Sequence, residues 1–429
     1  MVAEFLMPFA VYLLGLAVFA QGTSEFMLAG LVPGIAGDLG VSIPAAGLLT
    51  SAFAVGMVVG APLMAVLSLR LSRRFALLAF LCVFLVVHVV GAVTTSYEVL
   101  LVTRVVAALA NAGFLAVALA TAIALAPRDA KARATSVLLG GVTVACVAGV
   151  PGGALLGELW GWRSAFWAVA LALVPAVVAV LKSVPGPSSA ENAAPAGDAP
   201  AGDTAGDTAG DTAGDTAPAG GTARGELRAL RRPRLLVLLL LGALVNGATF
   251  CTFTYLAPLL TEVTGLGSGW MPGMLALFGL GSFAGVTISG RIADARPVPL
   301  LVIGGLALAG GWAVLAPAAG APAAAVVLVF VQGMLSFAVG STLISQVLYA
   351  ATGAPTLAGG FATAAVNVGA ALGPWLGGVA IGAGLGFRSP VWVSAALVGV
   401  ALAVAGVAYL VVARRAGNRV EAGLRAGAQ

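Results

Sequence analysis

Twelve stretches of this chain are apolar for about twenty residues or more, each long enough to cross the hydrocarbon of a bilayer as a helix. They cover residues 8–34, 43–68, 75–94, 98–125, 135–157, 163–181, 234–259, 270–290, 298–318, 322–349, 356–382 and 390–413. Lipid offers the backbone no hydrogen-bond partner, so a spanning segment must satisfy its own N–H and C=O groups, as an α-helix does. Only 9% of the 429 residues are charged, against about a quarter in soluble domains. Mean hydropathy is +1.08. An ordinary soluble enzyme is excluded, and so is disorder over most of the chain. Three cysteines and one histidine provide neither a disulfide framework nor a metal cluster, so no metal or bound cofactor is expected. The first stretch lacks a basic leader and is too long for a cleaved signal peptide.

The basic residues set the orientation. Of 21 Lys and Arg, only Arg163 and Arg388 fall in the loops that would face outward, and only Arg104 falls within a span. The rest lie in alternate loops and the tail, including Arg70, Arg73, Arg74, Arg291, Arg296, Arg414 and Arg415. An excess of positive charge marks cytoplasmic loops, so both termini are expected inside. Because these residues form short clusters between apolar runs rather than one patch, no nucleic-acid partner is expected.

Residues 183–233 break the pattern. Four copies of Ala-Gly-Asp-Thr run from Ala201 to Thr216, and a basic stretch from Arg224 to Arg234 follows. No apolar face can be drawn here, which reads as a flexible cytoplasmic linker with a basic end suited to anionic lipid headgroups. It separates a six-helix half at 1–182 from a second at 234–413, with a cytoplasmic tail at 414–429. The halves are related by one displacement of 225 residues. Gly161-Trp162-Arg163-Ser164 recurs as Gly386-Phe387-Arg388-Ser389, Pro8 falls on Pro233, Pro33 on Pro258, and Gly152-Gly153 on Gly377-Gly378. The expected fold is therefore all-α, with twelve transmembrane helices in two pseudo-symmetric halves. Such parallel repeats frame a site at their interface and rock to expose it alternately, as transporters do.

Away from the span ends, charge is confined to Glu25 and Arg104, with His88 as a third ionisable group. Each lies roughly 9–15 Å from the same end of its helix, at about 1.5 Å per residue. An acid in hydrocarbon is costly and marks an ion or substrate path. Glu25, one turn from Gln21, is the candidate proton carrier. Arg104 is read either as its electrostatic partner or as a snorkelling cation, and His88 as a structural histidine. The 225 displacement puts Phe250, Ala313 and Val329 opposite these three groups, so the second half carries no ionisable chemistry there. It offers instead Asn246, Thr249, Phe250 and Phe253 on one helix face, Tyr255 nearby, and Gln332, Ser336, Thr363 and Asn367 on later helices. With Gln21 and Asn111 these form a candidate wall for a neutral, amphipathic molecule. The competing reading is that the aromatics merely pack.

Gly22-Thr23-Ser24-Glu25-Phe26-Met27, Pro33-Gly34-Ile35-Ala36-Gly37-Asp38-Leu39, Phe253-Thr254-Tyr255-Leu256-Ala257-Pro258 and Ala354-Pro355-Thr356-Leu357-Ala358 carry a family resemblance. The chain resembles the twelve-helix drug:proton antiporter branch of the major facilitator superfamily, and within it actinobacterial chloramphenicol exporters. The resemblance implies a monomeric, proton-driven exporter of chloramphenicol or similar neutral amphipathic drugs in the plasma membrane, conferring resistance, with no cofactor beyond the proton gradient. Sugar-, nucleoside- or other metabolite-exporting relatives share several of these motifs and form the alternative. It further implies gating roles for Arg70, Arg73, Arg74 and Asp294, with Leu69 where the first half's acid would stand. Gly149, Pro151, Gly152 and Gly153 resemble the antiporter signature, a kinked contact expected to limit leakage between the halves; ordinary helix packing through glycine is the plainer reading. A membrane-embedded enzyme would need clustered acids or histidines, which the sequence lacks.

Overall fold

The computed structural model describes residues 8–68, 71–127, 130–183, 232–293, 295–351 and 358–426. Among the described residues there is no strand. The helices are α1 (Phe9–Phe26), α2 (Leu28–Leu39), α3 (Ile43–Ser68), α4 (Arg73–Val93), α5 (Tyr97–Leu125), α6 (Lys131–Val144), α7 (Val150–Trp160) and α8 (Trp162–Ser183). Then come α9 (Pro233–Thr254), α10 (Leu256–Glu262), α11 (Met271–Ile292), α12 (Pro297–Ala318), α13 (Pro322–Ala350), α14 (Ala358–Ala380) and α15 (Ser389–Ala426). Among the described residues, twelve stretches of helix are long and apolar enough to cross a membrane.

Two expected spans are broken. The first divides at Met27 into α1 and α2, and the seventh divides at Tyr255 into α9 and α10. The fifth span joins α6 to α7 through a π-helical turn at Ala145–Gly149. The cause is local: Pro151 has no N–H to give the preceding turn, and a widened turn accommodates the lost bond.

Burial runs opposite to that of a soluble protein. Phe9, Leu171, Ile303 and Tyr409 stand on the outer surface, while Gln21, Ser24, His88, Arg104 and Gln332 are buried. That distribution suits a solvent of hydrocarbon, where apolar side chains face out and polar groups must find partners inside. Small residues bring the helices close. On α3, Gly56 and Gly60 meet Ala108 and Ala112 of α5; on α14, Gly369 and Gly373 meet the α9 backbone at Ala243 and Gly247. Close backbone approach supplies the dispersion that holds helices together in lipid.

The 225 displacement reappears in the backbone. Left-handed turns occur at Gly40 and Gly161, and again at Gly265 and Gly386. The helices α5 and α13 are both 29 residues long and begin 225 positions apart. The two sets of helices meet along two seams, α3 with α14 and the α6–α7 region with α11. At the end away from the Arg-rich loops they are also joined by a hydrogen bond from Ser268 to Glu158 of 2.7 Å. There Tyr255 wedges against Gly47 and Gly378, so a Cβ on either would collide with its hydroxyl.

Candidate functional site

The break at Met27 ends α1 inside the bundle, and helix ends leave carbonyls without intrahelical donors. Arg104, from the middle of α5, occupies that end. Its Nη1 donates to Ser24 Oγ at 2.8 Å and its Nη2 to the Ser24 carbonyl at 2.7 Å. The guanidinium sits 4.6 Å from the Phe53 ring centre and 6.0 Å from that of Phe166. A cation at a helix C-terminus, over an aromatic face, is compensated without a carboxylate. Arg104 and Glu25 interact through space yet form no ion pair within 4 Å. The Glu25 carboxylate makes no hydrogen bond to any described residue and is partly accessible.

His88, read from the sequence as a structural histidine, is buried within this cluster. Its Nε2 lies 2.6 Å from Ser24 Oγ and its Nδ1 2.7 Å from the Phe84 carbonyl. Its ring stacks on Phe84 with centres 4.2 Å apart. Sequence reasoning singled out Glu25, Arg104 and His88 but missed Ser24, the residue that links the last two. A serine beside the only acid in a span was the available signal.

Beside Glu25 in the chain, Phe26 opens onto a small apolar cavity of about 20 Å³ lined from both halves. The first half supplies Phe26, Cys146 and Val150; the second supplies Thr249, Phe250, Phe253, Leu275, Phe278, Gly279, Ser282 and Phe337. Phe26 lies 5.8 Å from Phe250, and Phe253 lies 4.7 Å from Phe278, centre to centre. Cys146 is within electrostatic reach of Glu25, which ties the acid to the cavity wall.

Of the expected substrate wall, Thr249, Phe250 and Phe253 therefore come together. Others point elsewhere. Gln332 is fully buried and donates to the Leu308 carbonyl of α12 at 3.1 Å. It stands five residues from Phe337, about 140° round the helix, which turns it from the cavity. Tyr255 donates to the Pro374 carbonyl at 2.8 Å and seals the seam between α3 and α14, because the helix break re-aims it. Asn246 ties α9 to α14 through the Val366 carbonyl at 2.6 Å, and Asn367 bonds its own helix at Thr363. Asn111 faces Met57 of α3, with Nδ2 3.6 Å from its sulfur. Gln21 is buried one turn before Glu25 with neither amide atom paired. The aromatics Phe26, Phe278 and Phe337 were missed, since nothing in local sequence separates a cavity-lining phenylalanine from a packing one.

The glycine motif is also redistributed. Gly149 and Gly153 face α1 and α2 of their own half: a Cβ on Gly149 would overlap Thr23, and one on Gly153 would come within 3.0 Å of Met27. Gly152 has open space around it, and Pro151 is partly exposed. Contact with the other half is made by neighbouring residues: Val150 and Ala154 of α7 pack with Met274 and Leu275 of α11, and at the π turn Gly279 lies against the Cys146 carbonyl and Val147. The widened turn rotates the motif, which is why its glycines serve α1.

Among the expected gating residues, Arg70 and Asp294 lie outside the described residues, as do Ala354-Pro355-Thr356-Leu357 and most of the linker. Arg74 donates to the Leu181 carbonyl at 2.8 Å, which joins α4 to the end of α8 within one half rather than across the seam. Arg73 begins α4 and is exposed. At the opposite end, Asp38 pairs with Arg163 and accepts from the Trp162 indole at 3.1 Å. The hydrogen bond from Arg163, and then that from Trp162, holds the Asp38 carboxyl below the usual carboxylate range. Among the described residues no three His, Cys, Asp or Glu side chains cluster as metal ligands.

Residues 14–359 match the family model described as Major Facilitator Superfamily. The chain is 56% identical over 399 residues to a chloramphenicol resistance protein of Streptomyces lividans, covering 93% of this chain and 96% of that one. It is 33% identical to the inner membrane transport protein YdhP of Escherichia coli K12 over 390 residues, 91% and 93% of the two chains. In fold it is similar to a bacterial homologue of the human lysosomal transporter Spinster, crystallised in an inward-facing, unoccupied conformation. That match has a TM-score of 0.70 at 19% identity and covers 92% of this chain and 95% of the other.

Proposed function

This chain belongs to the major facilitator superfamily, and on that premise we propose that it is a proton-coupled antiporter exporting chloramphenicol or similar neutral amphipathic drugs across the plasma membrane. It is a multi-pass membrane transporter, not an enzyme. The observation that carries the drug reading is a phenylalanine-lined cavity shared by both halves, to which Phe26, the residue next to Glu25, contributes. The 56% identity to a chloramphenicol resistance protein supports the same substrate class.

The geometry suits proton exchange. Because the α1 carbonyls and two aromatic rings compensate Arg104, Glu25 is left without a fixed partner and is free to take and give up a proton. Thr249, Phe250 and Phe253 contact the drug's ring, and the unpaired amide of Gln21 meets a polar group of the ligand or a bridging water. Both termini lie in the cytoplasm with the Arg-rich loops. The protein works as a monomer, and Arg70, Arg73 and Asp294 close the cytoplasmic side. Glu25 is protonated from outside and deprotonated inside, so each cycle with a neutral drug moves positive charge inward.

The test is uptake of labelled chloramphenicol into inverted membrane vesicles with an acid interior. Uptake should be driven by the gradient, abolished by a protonophore, and lost in Glu25→Gln at equal expression. Gradient-independent uptake, or a fully active Glu25→Gln, would sink the coupling role. A panel of sugars and nucleosides in the same vesicles tests the alternative of a metabolite exporter; the four phenylalanines beside Phe26 in the cavity favour the drug.

A further inference from the structure

We propose that His88 and Ser24 are positioning residues for Arg104: together they fix the guanidinium on the peptide next to Glu25 and keep it out of a direct ion pair with that acid. The inference rests on the reading of Glu25 as proton carrier and assigns two residues to the coupling machinery beyond the acid and the arginine.

The polarity of the hydrogen bonds can be worked out from their ends. The Phe84 carbonyl only accepts, so His88 Nδ1 carries the ring proton that reaches it at 2.7 Å. The imidazole, neutral in this pattern, then presents a lone pair at Nε2, and the Ser24 hydroxyl 2.6 Å away must donate to it. With its proton committed, Ser24 Oγ turns its lone pairs to Arg104 Nη1 at 2.8 Å, while the Ser24 carbonyl takes Nη2 at 2.7 Å. One direction therefore runs from Arg104 through Ser24 and His88 to the α4 backbone. All three side chains are buried, where an unmade hydrogen bond is not replaced by water.

The consequence bears on Glu25. A guanidinium held by two bonds to residue 24 acts on the carboxylate of residue 25 through space, at a separation the network fixes. Without His88 the Ser24 hydroxyl is free to turn its proton, and without the hydroxyl Arg104 loses one of its two anchors. The guanidinium then has the carboxylate as its best remaining acceptor, and charge-assisted pairs of this kind are strong. A locked pair keeps the acid occupied and stalls proton exchange, yet leaves the aromatic cavity intact.

The experiment separates two modes of transport in reconstituted vesicles: uphill uptake of labelled chloramphenicol driven by a pH gradient, and gradient-free exchange of labelled for unlabelled drug. His88→Leu and Ser24→Ala should lower uphill uptake about tenfold or more while exchange persists. His88→Gln, whose amide oxygen accepts from Ser24, and Ser24→Thr, which keeps the hydroxyl, should restore uphill uptake. Retention of full uphill uptake by Ser24→Ala and His88→Leu overturns the inference. So does equal loss of both modes in Ser24→Ala and Ser24→Thr alike, the mark of a merely structural role. If His88→Leu fails to fold, the Ser24 pair decides alone. Glu25→Gln run alongside distinguishes the levels: gradient-driven uptake surviving in that variant overturns the proton-carrier reading itself.

Discussion

Arg104 is buried beside the partly accessible Glu25 within the bundle, yet the arginine bonds the backbone and hydroxyl of Ser24 and leaves the acid next door unpaired. A through-space relationship lets the field of the cation act on Glu25 without blocking it. Replacing Arg104 with Lys keeps the charge but removes the fork that grips both Ser24 atoms. Arg104→Lys should retain drug exchange and lose most gradient-driven uptake, with Arg104→Gln no worse. Near wild-type uptake in Arg104→Lys would show that charge alone suffices.

Phe253 packs on Phe278 at 4.7 Å and borders the cavity. Truncating it to Ala removes an aromatic contact of about 1–2 kcal/mol, roughly a tenfold change in affinity. Apparent affinity for chloramphenicol should fall by that order while the dependence on the proton gradient is retained. Loss of both together would count against a division of labour between halves.

The glycines of the fifth span divide by what surrounds them. Gly149→Ala should destabilise the detergent-solubilised protein by about 1–3 kcal/mol, because its Cβ meets the Thr23 side chain and neither helix has room to retreat. Gly152→Ala meets nothing and should leave the melting temperature unchanged or slightly raised. Thermal unfolding of the two variants, side by side, gives the comparison.

Asp38 supplies a pH-dependent contribution with a defined sign. Its carboxyl is held low by Arg163 and then Trp162, so the folded value lies below the unfolded one of about 3.9. The stabilisation is fully present above the unfolded value and is lost as pH falls through the folded value. The pair is substantially exposed, so screening limits it to roughly 0.2–1 kcal/mol. Asp38→Asn should melt slightly below wild type at pH 7, and the difference should shrink as pH falls below the ordinary carboxylate range and in high salt.

Tyr255 closes the seam between the halves at the end away from the Arg-rich loops. Tyr255→Phe loses the bond to the Pro374 carbonyl, worth about 1 kcal/mol, and keeps the ring. Labelling of a cysteine placed at the buried Thr50, one turn further along α3 from Gly47, by an impermeant thiol reagent from outside should speed up in Tyr255→Phe. An unchanged rate would remove the tyrosine from the seal.

Long-period features were legible in the sequence: the apolar runs, the 225 displacement and the isolation of Glu25 and Arg104 all survive in the fold. Each follows from the solvent, which forces whole segments to be apolar and makes every exception conspicuous. What stayed hidden depends on rotation. The placing of Phe337 in the cavity and Gln332 against α12 rests on about 140° of helix turn. The breaks at Met27 and Tyr255 turn Tyr255 away from the wall that its neighbours form. The link from His88 to Arg104 was hidden because the residue that makes it, Ser24, sits 64 residues from His88 and carries no charge.

The contact of Gly279 with the Cys146 carbonyl has a mechanical meaning. Beside the side-chain packing of Val150 and Ala154 on Met274 and Leu275, backbone lies against backbone at that point. Such a surface behaves as a plain bearing: α11 can slide and tilt over the π turn with little resistance, whereas a leucine ridge would lock it in one register. A side chain placed on Gly279 would key the joint and hold α11 in one register against the π turn.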